Sequence, residues 1–166
     1  ALKLGVKDVF FLGYDDGSLQ PTLDLRRQIT RWIRRCKPDV VVAPDPTRRW
    51  TGQRYINHPD HRAAGEAALD AIIPGSDTRL VFPELLEEGL EPHQVREVYL
   101  SGSNEADVWV DITETMDTKI EALREHKSQI GDWAELDRTI RERAAEMGKS
   151  QQLELAEGFK YFRLRD

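Results

Sequence analysis

The sequence is poor in the residues that would place it in several common classes. Of 166 residues only one is cysteine, four are histidine and two are methionine. The lone Cys36 excludes an internal disulfide and a cysteine-only metal cage, which fits a reducing compartment, and a cytoplasmic location is expected. No apolar run approaches the roughly 18 to 20 residues of a membrane span. Basic residues do not dominate: 24 Lys and Arg stand against 30 Asp and Glu, a formal net charge of -6. They are not gathered in one segment either, so a nucleic-acid partner is not expected. A G-x-G-x-x-G fingerprint is missing after the apolar strand candidates, which argues against a dinucleotide-binding domain. Internal repeats and low-complexity linkers are absent as well. What is there, 39% hydrophobic and 33% charged residues, suits one globular domain spanning 1–166 with a substantial core.

The periodicity predicts an α/β fold. Residues 1–4 read as the last turn of a helix closed by Gly5 in the left-handed region. Val9, Phe10, Phe11 and Leu12 form a continuous apolar run, the pattern of a strand over 8–12 buried on both faces. From Pro21 to Cys36, Leu25, Ile29, Trp32, Ile33 and Cys36 recur at three- and four-residue spacing and predict an amphipathic helix, with Arg26, Arg27, Arg34 and Arg35 on its wet side. Lys37-Pro38 ends it, and 39–43 is a second apolar strand. Strand, helix and strand within about forty residues imply a βαβ unit with parallel strands. A helix is predicted over 59–73 behind Pro59 at its first position. Strands follow at 95–100, 108–112 and 159–164, and helices at 113–129 and 133–147.

In such sheets a ligand crevice lies beyond the carboxyl ends of the strands. The loops leaving those ends are 13–20 and 44–58, and the second is long for a connection inside a domain. It runs into Asn57-His58-Pro59-Asp60-His61. Two imidazoles three residues apart at a helix start share one face. That places them to hold a metal such as zinc or to move protons, with Asp60 available to orient one ring. The same spacing also serves helix capping on a solvated surface.

The ordered set Leu4-Gly5-Val6, Phe11-Leu12-Gly13, Asp16-Gly17, Lys37-Pro38-Asp39-Val40-Val41-Val42, Asn57-His58-Pro59-Asp60-His61-Arg62 and Ala68-Leu69-Asp70-Ala71 resembles the PIG-L/LmbE-like family of metal-dependent N-deacetylases. Val110-Asp111-Ile112-Thr113, Lys119-Ile120, Ala122-Leu123, His126-Lys127-Ser128-Gln129 and Ala156-Glu157-Gly158-Phe159 extend the resemblance over nearly the whole chain. It implies a Rossmann-like three-layer sandwich with a mostly parallel sheet. It also implies removal of an acetyl group from an N-acetylglucosamine-type conjugate with Zn2+ or another divalent ion. Carried over residue by residue, it makes His61 a metal ligand, His58 the acid or cationic group beside the developing oxyanion, and Asp60 its partner. The family's N-terminal His-Pro-Asp-Asp type motif has no counterpart here. The expectation is therefore a chain lacking its first β-α unit and two of three metal ligands, associating with that segment or with a second copy of itself.

Asp16, Arg54 and Asn57, on the two strand-end loops, are the expected substrate contacts. Tyr14 lies close to Asp16, and Arg48, Arg49, Trp50 and Tyr55 make the second loop basic and aromatic. His126 reads as a helix-terminal residue, His93 as solvent-facing, and Cys36, Trp32 and Trp133 as packing residues. The role of Glu157 stays open between anchoring an arginine and touching the site. The competing reading from another class is a non-catalytic α/β module that binds a carbohydrate or other ligand without a complete metal site.

Overall fold

The computed structural model describes residues 1–165. In chain order its main elements are α1 (Leu23–Cys36), β1 (Val40–Pro44), β2 (Trp50–Thr51), β3 (Tyr55–Ile56), α2 (Pro59–Asp70), α3 (Glu84–Glu87), β4 (Glu97–Ser101), β5 (Val108–Asp111), α4 (Met116–Arg124), α5 (Lys127–Ile130), α6 (Leu136–Gly148) and β6 (Ala156–Arg163). The contacts divide the chain into two compact units, Ala1–Phe11 with Val108–Gly158, and Leu12–Asp107 with Phe159–Asp166. The α/β class predicted from periodicity is the one observed.

The second unit contains the strand-end loops. β1 pairs in parallel with β4, from Val40 opposite Glu97 to Pro44 opposite Ser101. β4 pairs antiparallel with β6, Val98 opposite Phe162. Parallel neighbours need a long crossover, and here it consists of α2 and the segment up to β4. Ile33, Ala43, Ala71, Ile72, Val95, Val98 and Leu100 form the core, which α1, α2 and the sheet share. Gly65 explains how close α2 comes to β1: a Cβ there would stand 2.2 Å from the Pro44 carbonyl oxygen. The run Ala63, Ala64, Gly65, Ala67, Ala68 thus lets the helix lie directly on the strand.

Thr22 caps α1 by accepting a hydrogen bond from the Leu25 N–H at 3.2 Å, the bond that stabilises an orphan amide in a first helical turn. One predicted wet-side residue of this helix is not on the wet side. Arg34 is buried, and its guanidinium donates to the carbonyls of Gly75 (2.8 Å), Thr78 (2.7 Å) and Val81 (2.9 Å). Three fixed acceptors converging on one side chain make burial of that cation tolerable, an arrangement that helical spacing cannot reveal. Cys36, predicted in the core, is exposed because the stripe ends one turn earlier, at Ile33. His93 is half-buried rather than solvent-facing, its Nε2 2.8 Å from the Pro38 carbonyl.

The first unit has its own core of Ile112, Met116, Ile120, Ala144 and Leu155. Leu2–Leu4 is a short 3-10 turn closed by Gly5 at φ 68, as predicted. The predicted strand over 8–12 does not form. Val9, Phe10 and Phe11 are exposed, Phe11 by 91%, because a strand is completed by a neighbour's backbone and this run is paired into neither sheet. The helix predicted over 113–129 is divided into a 3-10 turn, α4 and α5, with His126 at the junction, following the C-cap Glu125 of α4 and preceding α5. Glu157 is ion-paired with Lys119, a lysine and not the arginine considered from sequence. Trp133 is 43% exposed and does not pack in the core.

Candidate functional site

The carboxyl ends of the parallel strands β1 and β4 open into a cleft of about 210 Å³ lined by Pro44, Asp45, Arg48, Asn57, His61, Ser101 and Gly102. Pro44 is the last residue of β1 and Ser101 the last of β4. The backbone at this end is closed by the Asp45 N–H donating to the Ser101 carbonyl at 3.0 Å. This is the crevice position expected for a parallel pair.

Asn57 organises its wall. The side chain is buried, and its Nδ2 donates to the Arg48 carbonyl at 2.8 Å. That bond fixes which way the amide points, so Oδ1 is the atom that accepts from the Tyr55 hydroxyl at 3.2 Å and faces His61 Nδ1 at 3.3 Å. An acceptor there requires the proton on Nδ1 of a neutral ring, leaving the lone pair of His61 on Nε2. A metal-ligating histidine is held in just this way, with its far nitrogen donating to a fixed oxygen.

His58 is set oppositely. It is the N-cap of α2, and its Nδ1 accepts from the Asp60 N–H at 3.3 Å. In the neutral ring the proton then sits on Nε2, a donor. When the ring is protonated, Nδ1 faces Asp60 Oδ2 at 3.8 Å. The two imidazoles lie side by side, with centroids 5.4 Å apart and planes tilted by 45°. The structure therefore brings together the pair that the sequence singled out and gives each ring a different tautomer.

Asp60 has a second task that spacing did not suggest. Its Oδ2 accepts from the Gly17 N–H at 2.6 Å and its Oδ1 from the Leu19 N–H at 3.1 Å. Gly17 has φ 85, a backbone shape that glycine adopts without strain. The loop over 13–20 is thereby latched to the start of α2, and Asp16 comes close to both. Ligand atoms of Asp16, His58 and Asp60 all lie within 4.8 Å of one another. One imidazole and two carboxylates suit a divalent ion that takes nitrogen and oxygen donors, such as zinc. His61 is outside this group of three.

The remaining expected contacts fall in different places. Asn57 turns its amide inward, to Arg48 and His61. Arg54 stands exposed in the turn between β2 and β3, away from the cleft lining. The Tyr14 hydroxyl donates to Asp24 Oδ2 at 2.8 Å, at the start of α1.

Asp45 went unrecognised in the sequence. It is 4% exposed. Burial alone would push its carboxyl up. Hydrogen bonds from Ser103 and from the Thr47 hydroxyl and N–H, with the Arg48 charge nearby, outweigh burial and hold the carboxyl below the usual carboxylate range. The Thr47 bonds are 2.6 and 2.8 Å long. The signal for it is positional: an acid immediately after a parallel strand, in Asp45-Pro46-Thr47.

Residues 1–72 match the family described as PIG-L, GlcNAc-PI de-N-acetylase. The diacetylchitobiose deacetylase of Thermococcus kodakarensis is 32% identical over 160 residues, 95% of this chain and 58% of that protein. The solved N,N'-diacetylchitobiose deacetylase of Pyrococcus horikoshii, in complex with an inhibitor, superposes with a TM-score of 0.86 at 31% identity, covering 98% of this chain and 60% of that one. In these matches the chain is similar to the PIG-L/LmbE-like deacetylase family. Within it, a probable N-acetyl-alpha-D-glucosaminyl L-malate deacetylase of Bacillus anthracis is 28% identical over 134 residues, 76% of this chain and 50% of that protein. This PIG-L/LmbE-like chain thus spans about half to three fifths of the length of the relatives it matches.

Proposed function

We propose that this chain carries part of the active site of a metal-dependent N-deacetylase, which hydrolyses the acetamide of an N-acetylglucosamine-type conjugate. The observation that carries the reading is the tautomer of His61: Asn57 holds the Nδ1 proton and leaves the Nε2 lone pair for a metal. Zinc, when bound, supplies Lewis-acid activation of the amide carbonyl and of the attacking water. His58 contributes the proton. As the imidazolium, with its Nδ1–H turned to Asp60, it would donate through Nε2–H to the oxygen that gains charge as water adds and pass that proton to the departing amine, leaving the neutral ring. Asp60, 3.8 Å from Nδ1, stabilises the charged ring whenever His58 is the cation. The cytoplasmic location and the self-association expected from sequence belong to this same proposal. Among the described residues no helix is long and apolar enough to cross a membrane.

The metal has a second candidate position, favoured by the clustering of Asp16, His58 and Asp60. One experiment separates the two. Zinc content and acetate release are measured for the protein and for His61→Ala and His58→Ala. The proposal expects His61→Ala to lose the metal, and His58→Ala to keep it while losing turnover by about 100-fold or more. Zinc retained in His61→Ala but lost in His58→Ala moves the ion to the Asp16 group, and absence of acetate release from every N-acetylglucosaminide overturns the enzyme reading.

A further inference from the structure

Residues 13–20 form an exposed loop in which Leu19 alone is half-buried. No apolar anchor fixes its path, so its order depends on hydrogen bonds. At its start the Tyr14 hydroxyl donates to Asp24 Oδ2 at 2.8 Å and accepts from Gln28 Nε2 at 2.9 Å, which ties that residue to α1. At its end the Gln20 carbonyl accepts from the Thr22 N–H at 2.8 Å, just before the same helix. Between these points the Ser18 hydroxyl turns back to the Asp15 carbonyl, within the loop. Among the described residues, the hydrogen bonds that join 15–19 to another element are two, from the Gly17 and Leu19 N–H groups, and both end on Asp60.

Asp60 is well placed to carry them. Its side chain is 14% exposed, against 41% for His58, so water competes little for its oxygens. Hydrogen bonds to an ionised carboxylate are roughly twice as strong as neutral ones. The residue stands in the first turn of α2, whose seat on β1 is fixed by the close approach at Gly65. One carboxylate on a firmly packed helix thus sets the path of the loop that carries Asp16, and a ligand atom of Asp16 lies within 4.8 Å of those of His58 and Asp60.

We propose that Asp60 is a positioning residue for this loop, a role separate from its partnership with His58. By taking the Gly17 and Leu19 amides it presents Asp16 beside His58 and makes 13–20 a wall of the substrate site. The inference rests on the deacetylase reading for what the wall faces, whereas the latch stands on the geometry of the chain alone.

Amide hydrogen exchange followed by NMR in the whole chain tests the latch in Asp60→Ala, Asp60→Asn and His58→Gln. In Asp60→Ala the Gly17 and Leu19 amides should exchange about 10- to 100-fold faster, while the β4 amides keep the parent rate. Asp60→Asn, which replaces one acceptor oxygen by a donor, should release one of the two amides. His58→Gln should release neither. Parent-like exchange at Gly17 and Leu19 in Asp60→Ala, or their release in His58→Gln, overturns the latch. If Asp60→Ala loosens β4 as well, the nearly isosteric Asp60→Asn decides, and parent rates at both amides there overturn it. Acetate release from N,N'-diacetylchitobiose by the zinc-loaded protein tests the wall. Asp60→Ala and Asp16→Ala should each raise KM about 10-fold, and the double variant should raise it no further, because both remove the same group from the site. Multiplying effects on KM overturn the wall. Amides released as expected, with no acetate from the parent protein, support the latch and fail the deacetylase reading instead.

Discussion

The segment 45–65 and the segment 6–12 form an instructive pair. The first is polar, rich in proline and arginine, and has the composition of a loop. Yet nearly every functional group in it has a defined partner: Asp45 with Thr47, Asn57 with Arg48 and His61, His58 with the Asp60 amide, Asp60 with Gly17 and Leu19. The second has a strand-like composition and forms no strand, with Phe11 91% exposed. Most of these polar partners lie two to nine residues apart and are ordered by short covalent tethers, Asp60 alone reaching across to the 13–20 loop. An apolar run has no such local partner and depends on a neighbouring backbone and surface.

Substitutions sharpen that contrast in descending order of effect. Gly65→Val forces a side chain into the Pro44 carbonyl. It should cost about 3 kcal/mol by overpacking, read as a fall in the denaturant midpoint, and it should displace both imidazoles because they sit at the start of the same helix. A midpoint within error of the parent would show that α2 does not bear on β1 as closely as the geometry states. Asn57→Leu strands the Arg48 carbonyl and frees His61 to rotate. About 2 kcal/mol of stability should be lost, and zinc affinity should fall about 10- to 100-fold, measured by competition with a chelator.

Asp45 contributes a pH dependence. Its folded carboxyl lies below the ordinary value, so its stabilisation is complete above the unfolded pKa and is lost as the pH falls through the folded one. Asp45→Asn should remove that part of the acid sensitivity, and parallel acid profiles for parent and variant would refute it. At the other end, Phe11→Ser should change stability by no more than about 0.5 kcal/mol, since the ring is 91% exposed. A loss several times larger would mean that the ring is covered in solution.

Much of this architecture is legible in order and type. Helix α1, strands β1, β4, β5 and β6, the cap position before Pro59 and the left-handed Gly5 all follow from periodicity and local chemistry. So does the importance of the His58 and His61 pair, because i and i+3 share a helix face whatever surrounds them. The errors have one physical origin. Arg34 reads as a solvated arginine because its three carbonyl acceptors come from residues 75–81, more than forty positions away. Asp60 reads only as a partner for its neighbour His58, because the amides of Gly17 and Leu19 reach it across a comparable distance. Asp45 went unseen because its burial depends on where β1 ends beside β4.

The sequence by itself determined the α/β class, the placement of two imidazoles on one turn at a strand-end loop, and the resemblance to a deacetylase family through an ordered set of short motifs. Each of these depends on spacing or composition along the chain. Tertiary structure alone decided which carboxylate latches the 13–20 loop and that Gly102 lies against the Arg48 guanidinium in the cleft with His61. These contacts join residues more than forty positions apart, so no local spacing along the chain announces them.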